Sequence, residues 1–203
     1  MKKVFVQRKK DLEVEEEIVR KGFSPFLAHI ISSRTDDATI DFQSILRSVL
    51  KDIPHPSLLL NAEKGAERIA DAIVNKEAIL SIGDYDCDGQ TGNAVIIKSL
   101  ALFGVDPTLF KPVVGHRLEE GYGVTQPLCD RILSMLVKPS LIITTDCGSS
   151  DEPRIAQLKA HGIDVVVTDH HEVPREGSPA SAYCTINPVQ PGCEYPDKSV
   201  AGC

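Results

Sequence analysis

Ile79-Leu80-Ser81-Ile82-Gly83-Asp84-Tyr85-Asp86-Cys87-Asp88-Gly89-Gln90-Thr91-Gly92 is a short apolar run that stops abruptly in three aspartates at alternate positions. It reads as a strand feeding carboxylates into a turn before the apolar pattern resumes. Side chains two apart on an extended backbone point to one side, so the spacing predicts that the three carboxylates face together. Like charges so placed are unfavourable unless something positive sits among them. Hard divalent cations such as Mg²⁺ or Mn²⁺ prefer oxygen donors and answer that need. A solvated turn capping a helix at Thr91 is the bland alternative. A calcium-binding EF-hand loop matches at Asp84, Asp86, Asp88 and Gly89 but puts Val95 where its bidentate glutamate belongs, so it is set aside.

Outward from this stretch the texture is βαβ. Apolar runs at 79–82, 108–114, 141–144, 165–168 and 182–186 alternate with helical patterns near 93–102, 126–136 and 152–160. This alternation predicts an α/β fold, a mostly parallel β-sheet with helices on both faces, whose ligands collect beyond the carboxyl ends of the strands. Upstream, residues 1–76 read as a helical N-terminal region packed on the core, with Ser24 as N-cap before Pro25 and a break at Pro54-His55-Pro56. Residues 77–203 read as the catalytic domain. Glu13, Glu15, Glu16 and Glu17 read as a solvated helix face.

Two further strands end as the first does. Asp146 follows Ile142-Ile143-Thr144-Thr145, and Asp169, His170 and His171 follow Val165-Val166-Val167-Thr168. With Asp84, Asp86 and Asp88 they gather carboxylates and imidazoles on one sheet edge. Such a set suits two divalent cations, Mn²⁺ or Mg²⁺, about 3.5–4 Å apart, with one aspartate bridging. The matching chemistry is hydrolysis of a phosphoester or phosphoanhydride.

Composition narrows the class. The 203 residues are 42% hydrophobic and 25% charged, with a formal net charge of -7. That balance describes an ordinary globular chain and argues against broad electrostatic adhesion to nucleic acid or to anionic membranes. No apolar run approaches the ~18 residues of a transmembrane helix, and the first ten residues carry charge without an apolar leader core. The six cysteines form no Cys-x-x-Cys pair; they read as reduced thiols of a cytoplasmic protein rather than zinc ligands or disulfides.

Asp84-Tyr85-Asp86-Cys87-Asp88-Gly89, Thr145-Asp146-Cys147-Gly148 and Thr168-Asp169-His170-His171 resemble the first three motifs of the DHH phosphoesterase family. Ser24-Pro25-Phe26-Leu27-Ala28, Arg117-Leu118-Glu119-Glu120-Gly121-Tyr122-Gly123-Val124, Ile186-Asn187-Pro188 and residues 191–203 extend the resemblance to the RecJ branch of single-strand-specific exonucleases. The resemblance implies 5′ to 3′ hydrolysis of single-stranded DNA by a two-metal mechanism, a role in DNA repair and recombination, and a single-strand-binding protein or helicase as further partners. It also implies residue roles. Asp86 and Asp88 each hold one ion, Asp146 bridges, His170 completes the second ion, and Asp84 ligates or orients the first. His171 touches the scissile phosphate, while Arg117 and, more weakly, Asn187, Lys198 and Ser199 bind phosphate. Asp169 braces the loop, and Tyr85 and Tyr122 stack on bases or pack in the core.

The family's histidine upstream of the paired aspartates falls at Ile82, and its fourth motif lies beyond Ala201-Gly202-Cys203. The expectation is therefore a catalytic domain incomplete at its C-terminus, with weak metal affinity and little processive activity. Other DHH substrates (oligoribonucleotides, cyclic dinucleotides, pyrophosphate) and a non-catalytic scaffold in a replication or repair assembly stand as the alternatives.

Overall fold

The computed structural model describes residues 6, 8–47 and 49–201. Most of the first ten residues' leader reading, and Gly202-Cys203, lie outside them. The chain forms two compact units, Met1–Ile53 and Pro54–Cys203.

The first unit holds helices α1 (Leu12–Arg20), α2 (Pro25–Ser32) and α3 (Phe42–Leu46). Asp11 caps α1 by accepting from Val14 N at 3.0 Å, and Ser24 caps α2 by accepting from Leu27 N at 3.2 Å. Val14, Ile18, Ala28 and Phe42 form its small core, with Phe23, Ile31 and Leu46 against it. The glutamates of α1 lie on its surface: Glu15 pairs with Lys10, and Glu17 with Arg20 and Lys21.

The second unit begins with α4 (Ala62–Val74) and continues β1 (Ile79–Gly83), α5 (Cys87–Leu102), β2 (Phe110–Val114), α6 (Gln126–Leu133), β3 (Leu141–Thr145), α7 (Glu152–Ala160), β4 (Asp164–Thr168) and β5 (Cys184–Ile186). The five strands are all parallel, in the order β2-β1-β3-β4-β5. The units divide at Ile53, so helix α4, read from the sequence together with the N-terminal helices up to residue 76, lies in the second unit. Helix α4 belongs with the sheet because its apolar stripe, Ile69, Ala72 and Ile73, packs on Leu141, Ile143, Val166 and Cys184.

Strand alternation divides the core between the two faces. Leu80, Ile82, Ile142, Val165 and Val167 meet Leu128, Cys129 and Ile132 of α6 and Ile155 and Leu158 of α7. Ile79, Leu141, Ile143 and Val166 meet α4 and α5. Helices thus cover both faces, as the near-continuous apolar runs of β1 and β3 required. Between α4 and α5 an apolar groove of about 530 Å³ remains, lined by Ile69, Ile73, Val95, Ile96 and Phe103. Among the described residues no helix is long and apolar enough to cross a membrane.

Candidate metal centre

The sheet register sets the site. Gly83, Thr145, Thr168 and Ile186 are partners across β1, β3, β4 and β5. One residue further on, the ladder continues: Asp84 N donates to Thr145 O at 3.3 Å, Asp146 N to Thr168 O at 3.0 Å and Asp169 N to Ile186 O at 3.1 Å. Asp84, Asp146, Asp169 and Asn187 therefore stand in one row at the carboxyl edge.

The first motif departs from simple alternation. The strand stops at Gly83, and α5 begins at Cys87 rather than near Asn93. Asp86 is its N-cap, accepting from Gly89 N at 3.3 Å, and Asp88 lies in its first turn. A strand-to-helix turn, rather than a continuing strand, turns these carboxylates inward. Thr91 is not the cap; its hydroxyl donates back to Cys87 O at 2.9 Å. Gly89 permits the turn, because a Cβ there would lie 2.5 Å from Asp84 O.

Asp146 sits at the centre. Its φ is +63°, in the left-handed region that Asp tolerates better than most residues, and it is 1% exposed. Its donor atoms lie within 4.8 Å of those of Asp84 and Asp86 on one side, and of His170 and His171 on the other. His170 Nε2 is 2.9 Å from Asp146 Oδ1 and 3.4 Å from Asp88 Oδ2. Neither buried carboxylate oxygen of Asp146 accepts a hydrogen bond of good geometry. Burial, reinforced by the charges of Asp88 and Asp86, pushes the Asp146 carboxyl up to about 7. Burial also raises Asp84, while hydrogen bonding with Asp88 and from Gly89 N lowers Asp86. Two donor groups sharing one buried carboxylate match a pair of divalent cations, which would supply the missing positive charge.

Asp169 turns away from that cluster. It accepts from the backbone N–H groups of Ser149, His170 and His171 and from His171 Nδ1 at 2.8 Å. Burial opposes its ionisation, but the hydrogen bonds from His171 and Ser149 outweigh it and hold the carboxyl below its usual range. Burial likewise opposes a charged His171, yet its bond to Asp169 and the nearby carboxylates raise its pKa.

The residues assigned to phosphate part company here. Arg117 is exposed, its guanidinium 4.9 Å over the ring of Tyr85, and Glu120 is engaged instead by Arg131. Asn187 is fully buried: its amide donates to Ser149 Oγ and to His171 O, both at 2.9 Å, and its Oδ1 accepts from Val189 N. Lys198 Nζ donates to Pro188 O at 2.8 Å and Cys193 O at 2.7 Å. Ser199 bonds to Asp197. Asn187 and Lys198 thus tie loops together. Tyr122 is half-exposed rather than packed in the core, and its hydroxyl reaches Asp146 O and His171 Nδ1. Only its flanking glycines signalled that role.

Comparison with known proteins follows the same lines. The chain is 32% identical over 178 residues to the single-stranded-DNA-specific exonuclease RecJ of Haemophilus influenzae, covering 88% of this chain and 29% of that protein. It is 31% identical over 197 residues to RecJ of Bacillus subtilis, covering 97% and 24%. The chain thus spans less than a third of the length of these relatives. A crystal structure of exonuclease RecJ bound to manganese superposes with a TM-score of 0.58 and 32% identity, over 69% of this chain and 34% of that one. Residues 78–203 match the model of the DHH family, N-terminal domain. With its three acidic strand ends in one parallel row and this match over most of its length, the chain belongs to the DHH family.

Proposed function

We propose that residues 77–203 are the catalytic domain of a RecJ-type, metal-dependent exonuclease that hydrolyses phosphodiesters of single-stranded DNA from the 5′ end. The observation that carries this reading is Asp146, a buried carboxylate common to two donor groups. Asp86 and Asp88 would each help hold a Mn²⁺ or Mg²⁺ ion, with Asp146 serving both, His170 the second and Asp84 the first. When bound, the ions lower the pKa of water and neutralise charge on phosphate.

The chain's own residues do the rest. His171, its Nδ1 committed to Asp169, keeps Nε2 for the scissile phosphate. Arg117, its guanidinium 4.9 Å over the Tyr85 ring, offers a forked guanidinium to the strand's phosphates. The net charge of -7 makes these local contacts and the cations the grip on DNA. The reading places the protein in the cytoplasm beside DNA repair and recombination, with a single-strand-binding protein or helicase as candidate partners.

The test is a Mn²⁺-dependent assay on 5′-labelled single-stranded DNA, run beside a short RNA, a cyclic dinucleotide and pyrophosphate, with Asp146→Ala as control. Release of 5′-mononucleotides from DNA, abolished in the variant, supports the reading. Preference for another substrate assigns the site to a different DHH chemistry, and inertness on all four favours a scaffold.

A further inference from the structure

Ser149 lies on the loop that follows β3, three residues beyond Asp146, and is only 1% exposed. A serine after a glycine is ordinary loop chemistry, and nothing in its sequence setting marks it. In the fold, three loops of the metal centre meet on it.

Its backbone N–H donates to Asp169 Oδ2 at 3.0 Å, on the loop after β4. Its Oγ accepts from Asn187 Nδ2 at 2.9 Å, on the loop after β5. Because the amide supplies that proton, the hydroxyl keeps its own for the Asp169 carboxylate, which can only accept. Asn187 places its second amide proton on His171 O at 2.9 Å, and its Oδ1 accepts from Val189 N, which fixes the orientation of the amide. Asp169 Oδ1 in turn accepts from the N–H groups of His170 and His171 at 2.8 and 3.2 Å. A closed circuit therefore runs from Ser149 through Asp169, His171 and Asn187 back to Ser149, with Ser149, Asp169 and Asn187 all buried.

Asp146 stands at the start of the Ser149 loop, in left-handed backbone. Gly148, at φ +113°, brings that loop so close to β4 that a Cβ there would lie 3.0 Å from Val167 Cγ1. His170 stands on the other loop, beside Asp169. The 2.9 Å between His170 Nε2 and Asp146 Oδ1 is thus a distance between two loops, and Ser149 bonds the first to the second. A buried polar network with every member satisfied rigidifies what it joins, whereas a missing member leaves the others short of partners.

We propose that Ser149 is a positioning residue for the metal centre: it fastens the Asp146 loop to the His170–His171 loop and so sets the spacing of the donor group formed by Asp146, His170 and His171. Ser149 touches neither ion nor substrate and acts through Asp169 and Asn187. The consequence for cation binding rests on the metal-dependent reading above; the fastening of the loops does not.

Ser149→Ala removes the hydroxyl and keeps the backbone bond to Asp169. Ile163→Val, a buried change at the amino end of β4, controls for a general loss of stability. In the metal-free chains, Ser149→Ala should speed amide hydrogen exchange at His170 and His171 at least about tenfold beyond the uniform increase that Ile163→Val produces. In calorimetry under conditions where both variants stay folded, Mn²⁺ affinity should fall about 10–100-fold in Ser149→Ala and by less than about threefold in Ile163→Val.

Exchange at His170 and His171, or Mn²⁺ affinity, that changes no more in Ser149→Ala than in the control overturns the proposal. If Ser149→Ala does not fold, the wild type decides: a Ser149 amide that exchanges as slowly as the core strands supports the proposal, and one as fast as an exposed loop overturns it. Faster exchange in Ser149→Ala, in a protein whose wild type takes up no Mn²⁺, leaves the fastening role intact and overturns the metal-dependent reading instead.

Discussion

His170 Nε2 lies 2.9 Å from Asp146 Oδ1 and 3.4 Å from Asp88 Oδ2, so one imidazole reaches carboxylates from the end of β3 and the first turn of α5. In a protein these groups face one another either to stabilise a charge or to hold a cation. The burial of Asp146 among the carboxylates of Asp84, Asp86 and Asp88 favours the second.

Asp146→Asn separates stability from binding. Asn keeps the shape and tolerates the left-handed φ of +63°, while the repulsion with Asp86 and Asp88 disappears. Thermal unfolding of the metal-free variant should occur above the wild type, by about 2–4 °C for each kcal/mol gained. Mn²⁺ affinity by calorimetry should fall by more than the ~10–100-fold that loss of an outer partner costs. Retained Mn²⁺ binding would remove Asp146 from the centre.

The pH dependence has a defined sign. The folded carboxyl of Asp146 is pushed up to about 7, above the ~3.9 of an unfolded aspartate. The stability it contributes is complete below about pH 4 and lost as pH rises through about 7. Asp169, with its lowered pKa, works the other way and loses its contribution on acidification. Because cation uptake needs the ionised carboxylate, Mn²⁺ affinity should rise between about pH 6 and pH 8 with release of protons. Calorimetry in buffers of different ionisation enthalpy measures that release, and a flat, proton-neutral profile contradicts the assignment.

Gly89→Ala tests the turn itself. Its Cβ would meet Asp84 O at 2.5 Å and Asp84 N at 2.6 Å, backbone atoms that cannot swing aside. Urea denaturation should show a loss of about 1–3 kcal/mol or more. Cation affinity should fall too, since Asp84 and Asp86 flank the strained point. A neutral substitution would mean that α5 starts elsewhere.

Asn187→Ala should behave as a structural lesion. It leaves Ser149 Oγ and His171 O without a buried donor, at a cost of about 1–3 kcal/mol for each group left unpaired. Unfolding by urea gives the number; a variant of wild-type stability whose only defect is weak DNA binding would support a phosphate role instead.

Arg117→Ala predicts the opposite profile. The side chain is exposed, its guanidinium 4.9 Å over the Tyr85 ring, so stability should change by less than about 0.5 kcal/mol. Binding of an oligonucleotide should weaken, and the slope of log affinity against log salt should shrink by roughly 0.7 if one phosphate contact is lost. Fluorescence anisotropy at several salt concentrations reads both.

Much of this was legible in the chain. Val165, Val166 and Val167 announce a strand buried on both faces, and Asp146 and Asp169 just beyond such runs announce the ligand edge. Two things were hidden. Asp86 and Asp88 share the same two-residue spacing whether the strand continues or a helix begins, and only the close approach of Gly89 to Asp84 decides which. The tasks of Asn187 and Tyr122 depend on partners 38 and 24 residues away, and no local pattern encodes a hydrogen bond over that separation. Helix α4 was visible, but not which unit it serves, because an apolar stripe does not name the surface it covers.

The row formed by Asp84, Asp146 and Asp169 makes the sheet a ruler. Neighbouring strands are spaced about 4.8 Å by the backbone alone, so the spacing of these three residues is inherited from peptide geometry. Conservative exchanges of buried aliphatics along β1, β3 and β4 leave that gauge untouched. A single inserted or deleted residue in β3 would put Asp146 out of step with its neighbours and reverse the faces of the strand. Mutational tolerance in this protein should therefore be generous toward replacement and nearly absent toward changes of strand length.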